Sequence, residues 1–274
     1  MIKLPICETS DLVFPYNQYG NTGRIHSIFS HSFNIVVGER FIHVSGQENF
    51  LSSFGIQLKP FDFQQLKGLQ INDLVILKEQ VITIYSQVNP YILTGDEKLL
   101  KNMALSSVDY TSAEIKQVLK IVEGQVDLAK IGLSPSLEFQ SIQALMQSAE
   151  LSVVKIDAII EFLIGRGLGL TPSGDDILLG YFGGWKMLSD YPMEKAVENG
   201  LTRTMQRTTN ISREYLLAFL KGGVSSPILQ LNQALARRNS SYIDHAIQGI
   251  KALGHTSGHD FLFGFLLSLI CMDK

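Results

Sequence analysis

This sequence predicts an α+β fold: an N-terminal β-barrel or sandwich-like domain over residues 1–105, followed by an all-helical domain over residues 106–274. Three observations predict it. Short runs of β-branched and aromatic residues, separated by turn residues, fill the first hundred positions. Near residue 105 the apolar spacing changes to that of helices, with repeated helix-start signals. No low-complexity or Gly/Ser-rich linker interrupts the change, so two closely packed halves are expected rather than tethered domains.

In the first half, "RIHSIF", "FNIVVG" and "RFIHVS" read as strands, because Val, Ile and aromatic side chains suit a half-buried pleated surface. "DLVILKEQVITIY" reads as a hairpin, two Val/Ile/Leu runs around Lys78-Glu79-Gln80. Gly55 and Pro60 punctuate the middle. In the second half, Thr111-Ser112-Ala113-Glu114 fits a capping box, with a helix running to about Gly124. Ser134-Pro135 places proline in a helix first turn, and helical spacing continues through Ala149. Residues 152–164 repeat that pattern, and Gly165 supplies a C-terminal stop. Further helices fit 174–188, 193–207, 212–221, 227–237, 241–252 and 258–272, with Ser226-Pro227 marking one of the starts.

Composition narrows the function. Of the 274 residues 18% are charged, below the roughly 25% usual in soluble domains. That deficit points to surface covered by a partner or by a second copy, a homo-oligomer. The net charge is −3 with no Lys/Arg run, which excludes nucleic acid, because phosphate neutralisation needs a basic patch. Cys7 and Cys271 form neither zinc spacing nor a disulfide framework, as expected for a reducing, cytoplasmic setting. The start "MIKLPICETSDLVF" lacks an apolar h-region. The run "FLFGFLLSLICM" is 12 residues, short of the roughly 20 that cross a bilayer, so it reads as a buried helix and no membrane partner is expected.

The informative stretch is "GLGLTPSGDDILLG", Gly167 to Gly180, echoed by "GHTSGHDFLFG", Gly254 to Gly264. One offset of 84 residues relates Asp176 to Asp260 and Gly180 to Gly264; only Pro172 is extra. The shared pattern is G-x-T-(P)-S-G-x-D-x-L-x-G. A purely structural reading makes Ser173 and Ser257 N-caps, with Asp176 and Asp260 three residues on as capping acids and the last glycine as a helix-crossing point. Three features exceed capping. Gly165, Gly167 and Gly169 offer bare backbone to a ligand. Asp175 and Asp176 are adjacent, so one can cap while the other faces outward. The turn is used twice, as expected if two helix N-termini converge on one small anion through the amides and hydroxyls of Thr171, Ser173, Gly174, Thr256, Ser257 and Gly258.

Between the copies, "RTTNISREY" adds Thr209, Ser212 as a further N-cap, and Arg213 as a fork for a carboxylate or phosphate. His255 lies in the second turn. It is four residues from His259, but the helix boundary between them argues against a shared metal face. Asp175 and Asp176 are the candidate catalytic pair; no nucleophile elbow, Walker loop or zinc-protease motif is present.

At "GLGLTPSGDDILLG", "RTTNIS" and "GHTSGHDFLFG", in this order, the chain resembles a bacterial family that includes the AllH subunit of oxamate carbamoyltransferase. The resemblance is specific in the L-T-P-S-G-D-D string and looser around "RIHSIFSHSFNIVV". It implies carbamoyl transfer among oxalurate, phosphate, oxamate and carbamoyl phosphate during allantoin catabolism, by an assembly with FdrA-like and AllG-like partner subunits. The positions it carries over are Gly169 to Asp176 except Leu170, then Thr209, Ser212, Thr256, Ser257, Gly258 and Asp260. Alternatives are a non-catalytic assembly or ligand-sensing subunit, and a Mg²⁺-dependent hydrolase using Asp175 and Asp176.

Overall fold

The computed structural model describes residues 1–189 and 193–274. The chain divides into two compact units, Met1–Ala104 with Lys221–Ser226, and Leu105–Leu220 with Pro227–Lys274.

The first unit is built from β1 (Ile2–Ser10), β2 (Thr22–Ile28), β3 (Ser32–Val37), β4 (Arg40–Ser45), β5 (Gly55–Leu58), β6 (Leu74–Lys78), β7 (Val81–Tyr85), β8 (Pro90–Thr94) and β9 (Leu100–Lys101), with one turn of helix, α1 (Pro60–Phe63). Hydrogen bonding runs β5-β4-β3-β2-β6-β7-β8-β1, and β1 then pairs antiparallel with β5. The sheet therefore closes into an eight-stranded barrel, not a sandwich, with β9 added along β1. Closure leaves no long unpaired edge. Alternation sets the two faces: Val75 and Leu77, Ile82 and Ile84, and Tyr91 and Leu93 are buried while their neighbours are less so. The segment Lys221–Ser226 is stitched to the barrel: Val224 N–H donates to the Met103 carbonyl at 2.9 Å, and Leu51 N–H to Ser226 Oγ at 2.9 Å.

The second unit is helical: α2 (Ser112–Glu123), α3 (Leu137–Met146), α4 (Val153–Leu163), α5 (Ser173–Leu188), α6 (Glu194–Thr204), α7 (Asn210–Leu220), α8 (Ser226–Ala236), α9 (Ser240–Lys251) and α10 (Ser257–Met272). The capping box at Thr111 and Glu114 forms as read. α3 starts later than Ser134-Pro135 suggests, because Ser136 Oγ accepts the Phe139 N–H at 3.1 Å and is the cap. α7 starts earlier than expected, because Thr209 Oγ1 accepts the Ser212 N–H at 3.1 Å; Ser212 is inside the helix and not its N-cap. No helix among the described residues is long and apolar enough to cross a membrane.

The unit is organised around α5 and α10, which are buried along most of their length. They touch backbone to backbone. A Cβ at Gly180 would collide with the Phe261 carbonyl, and one at Gly264 with the Ile177 carbonyl. A Cβ at Gly184 would strike Ser268 Oγ. The same 84-residue offset relates Ile177 to Phe261 and Gly184 to Ser268, so the two helices meet about a local two-fold. Gly180→Ala should therefore force the pair apart and cost about 3 kcal/mol, the upper end of overpacking penalties. Urea unfolding checks this, and a loss below about 1 kcal/mol would mean that the crossing tolerates a methyl group.

Candidate functional site

The crossing brings the two Ser-Gly turns together at the N-termini of α5 and α10. Thr171 Oγ1 and Ser257 Oγ share a hydrogen bond of 2.8 Å. The hydroxyls of Ser257 and Thr171 flank the Asp176 carboxyl, and those of Ser173 and Thr256 flank Asp260. Each aspartate thus lies beside the threonine of its own turn and the serine of the other. The expected capping boxes do not form. Ser173 and Ser257 are the first helical residues, and neither Pro172 nor Thr256 before them makes a side-chain capping bond. Thr171 and Ser257 instead bond to each other across the pair of helices.

The adjacent aspartates part company, because successive helical residues point about 100° apart. Asp175 is fully buried, not outward-facing. Its Oδ1 accepts the Gly165 N–H at 2.7 Å, and its Oδ2 accepts the hydroxyls of Ser212 at 2.6 Å and of Thr208. Asp175 therefore ties the loop after α4 and the start of α7 to α5. The carboxylate whose charge acts most on Asp176 comes from the other helix, Asp260. Asp175 and Asp176 therefore serve different neighbours: Asp175 faces Gly165, Thr208 and Ser212, and Asp176 faces the paired turns.

Burial governs the electrostatics. It pushes the Asp176 carboxyl well above the usual carboxylate range; the Ser257 hydroxyl opposes this, while the charges of Asp260 and Asp175 add to it. Burial also raises Asp260, against the Gly132 N–H and the hydroxyls of Ser173 and Thr256. Asp175 is raised by burial too, with Gly165, Ser212 and Thr208 pulling the other way. His259 occupies the position equivalent to Asp175. Burial, Lys130 and Lys251 hold its imidazole below the ordinary histidine range, against Asp127 and Asp260.

Gly132 is a site residue that sequence reading missed. Its N–H donates to Asp260 Oδ1 at 2.9 Å, and a Cβ there would collide with Ser173 Oγ. In "KIGLSP" it looks like ordinary loop punctuation, and no local pattern marks it. The glycine series before α5 divides by cause. Gly165, Gly167 and Gly169 all have positive φ, at 69°, 119° and 94°. A side chain at Gly165 would strike the Arg207 carbonyl, and one at Gly167 would sit 2.7 Å from the Ser173 nitrogen. Those two positions need glycine for packing; Gly169 has nothing within 4 Å of a Cβ and faces open space.

The amides are partly committed. Gly174 N–H donates to the Arg166 carbonyl at 2.8 Å and Gly258 N–H to the Leu253 carbonyl at 3.1 Å, so neither offers its proton to an anion. Thr209, besides capping α7, donates its hydroxyl to the Leu170 carbonyl. Arg213 donates to Gln206 Oε1 at 3.3 Å, and His255 is exposed in the turn before α10. Asp176, 8% exposed, is the one aspartate of the three that keeps contact with the surface, since Asp175 and Asp260 are at 0%.

Asp175→Ala should remove the acceptor for three donors and destabilise the fold by about 3 kcal/mol, because it strands a buried amide and two hydroxyls. Chemical denaturation measures this directly. A change below about 0.5 kcal/mol, which is within the range of ordinary surface substitutions, would show that Asp175 is not a brace.

Two family descriptions match the chain. "Oxamate carbamoyltransferase subunit AllH" matches residues 163–269, which contain both turns and α7. "AllH family N-terminal domain" matches residues 6–95, most of the barrel. No solved structure matches. With the barrel, the paired turns and both matches agreeing, the chain belongs to the AllH family.

Proposed function

We propose that this chain is a subunit of a carbamoyltransferase-type enzyme, and that its helical unit holds a small carboxylate, carbamoyl or acyl-phosphate ligand at the paired turns. One observation carries this reading: two copies of one turn, 84 residues apart, meet so that each aspartate is flanked by the other copy's serine. Capping either helix alone needs no such exchange. Asp176 is the reactive-group candidate because it alone of the three aspartates reaches the surface. Burial raises this carboxyl, the direction that lets a carboxyl keep and hand on a proton. Thr171 and Ser257 share one hydrogen bond, so one of their two hydroxyl protons is left to meet charge that develops on a carbamoyl oxygen, which is where preorganised dipoles act most strongly. The open Gly169 and the exposed His255 lie on the loops that lead into the two turns.

A second reading, an assembly or ligand-sensing role, is favoured by apolar side chains on the loops of this region. Leu168 is 91% exposed on the glycine loop, and Leu128, near Gly132, is 67% exposed. Such surface suits a partner subunit, FdrA-like or AllG-like by family resemblance.

Thermal melts of the chain alone, and of the chain mixed with such partners, discriminate the two. Oxamate, carbamoyl phosphate or inorganic phosphate should raise Tm by several degrees at saturating concentration, because a ligand bound only to the folded state stabilises it by mass action. Ser257→Ala should weaken that ligand at least tenfold, the loss of one hydrogen bond to a charged group. A melt indifferent to all three ligands, with and without partners, would sink the ligand-binding reading and leave assembly.

A further inference from the structure

Two carboxylate oxygens at the paired turns are left without donors. Asp176 Oδ2 and Asp260 Oδ2 are both out of solvent, and neither has a hydrogen-bond partner among the described residues. Their side chains are more than nine-tenths buried. Neither aspartate forms an ion pair with a lysine or arginine among the described residues. The local positive charge is then that of two helix N-termini, about half an elementary charge each, against two carboxylates. An ionised pair in this place is about one charge short of neutral before any anionic ligand arrives. An anion at the same turns deepens the deficit.

We infer that Asp176 and Asp260, with the hydroxyl oxygens of Thr171, Ser173, Thr256 and Ser257 around them, hold one hard divalent cation of the Mg²⁺ class. The donor set is oxygen throughout. Among the described residues no group of three His, Cys, Asp or Glu side chains is placed to hold a metal, which argues against a fully protein-ligated transition-metal centre. Mg²⁺ is commonly bound by one or two carboxylates, with waters and an anionic ligand completing the shell. Serine and threonine can donate their protons to a carboxylate and still present lone pairs to the ion. The ion would neutralise the pair and present positive charge to a carboxylate or phosphate. The site concerns the same turns as the ligand reading above, but it does not require carbamoyl transfer.

The test uses the full chain, stripped with a chelator, and Mn²⁺ alone as the probe. Electron paramagnetic resonance should show one Mn²⁺ bound per chain and displaced by Mg²⁺. Asp176→Asn and Asp260→Asn should each weaken Mn²⁺ at least tenfold. Circular dichroism shows whether each variant is folded, and Ser257→Ala, which leaves both carboxylates in place, should weaken the ion less than either. Absence of bound Mn²⁺ in the wild-type chain overturns the inference and leaves a proton shared between the two carboxyls. So does binding that is unchanged in folded aspartate variants. Oxamate and phosphate are then added with Mg²⁺ or with chelator. Cation binding without any anion binding keeps the cation site and removes the carbamoyl-ligand reading; anion binding in a chain that takes up no Mn²⁺ keeps that reading and removes the cation.

Discussion

The helical unit depends on a contact that contains no side chain. At Gly180 and Gly264, α5 and α10 lie against each other's carbonyls, at Phe261 and Ile177 respectively. A contact this close fixes the rotation and the axial register of both helices, because neither has a side chain there to repack. The register places both N-terminal turns at the same level. Each aspartate lies four residues before its crossing glycine. It therefore points along the same face as that glycine, one turn nearer the N-terminus, towards the partner helix. The exchange of serines between the two turns is a geometric consequence of the crossing.

The symmetry is broken in two places, and those breaks give the site a direction. Asp175 is tied to Gly165, Thr208 and Ser212, whereas the equivalent His259 has a buried Nδ1 with no hydrogen-bond partner among the described residues. Gly132 donates to Asp260 Oδ1, a bond that belongs to one half alone. One carboxylate of the pair is thereby held by a backbone amide and sealed, while Asp176 retains a little surface. A duplicated motif has become one half anchored by a backbone amide and one half without that anchor.

Most of the architecture was legible in the sequence because it rests on local signals. Period-two and helical patterns, the Thr111 capping box and the Gly165 stop each depend on residues within a few positions. The duplicated turn was legible because its glycines and aspartates keep one spacing. What escaped was non-local. β1 carries Pro5 in its middle, and β8 opens on Pro90, so neither resembles a strand until barrel closure pairs them, Ile2 to Tyr91 through Pro5 to Thr94. Gly132 matters only because two turns 84 residues apart meet beside it. The capping boxes expected of Asp176 and Asp260 do not form for the same reason. Capping is a local rule, and Asp176 and Asp260 follow a tertiary one.

A chain selected for stability alone has little use for this arrangement. Two carboxyls are removed from water, each is pushed towards its protonated form, and one oxygen of each lacks a donor among the described residues. Amide or hydroxyl side chains of similar size would cap the helices and bridge the turns without a buried charge to offset. Around the pair, nearly everything is satisfied and tightly packed: Gly165 and Gly167 fit their neighbours without room for a methyl group, Asp175 has three donors, and Thr209 is used twice. Two of the buried oxygens without a partner thus belong to the paired turns, inside a rigid frame. Unspent acceptor capacity held in fixed positions is what a site needs if binding is not to be spent on ordering the protein.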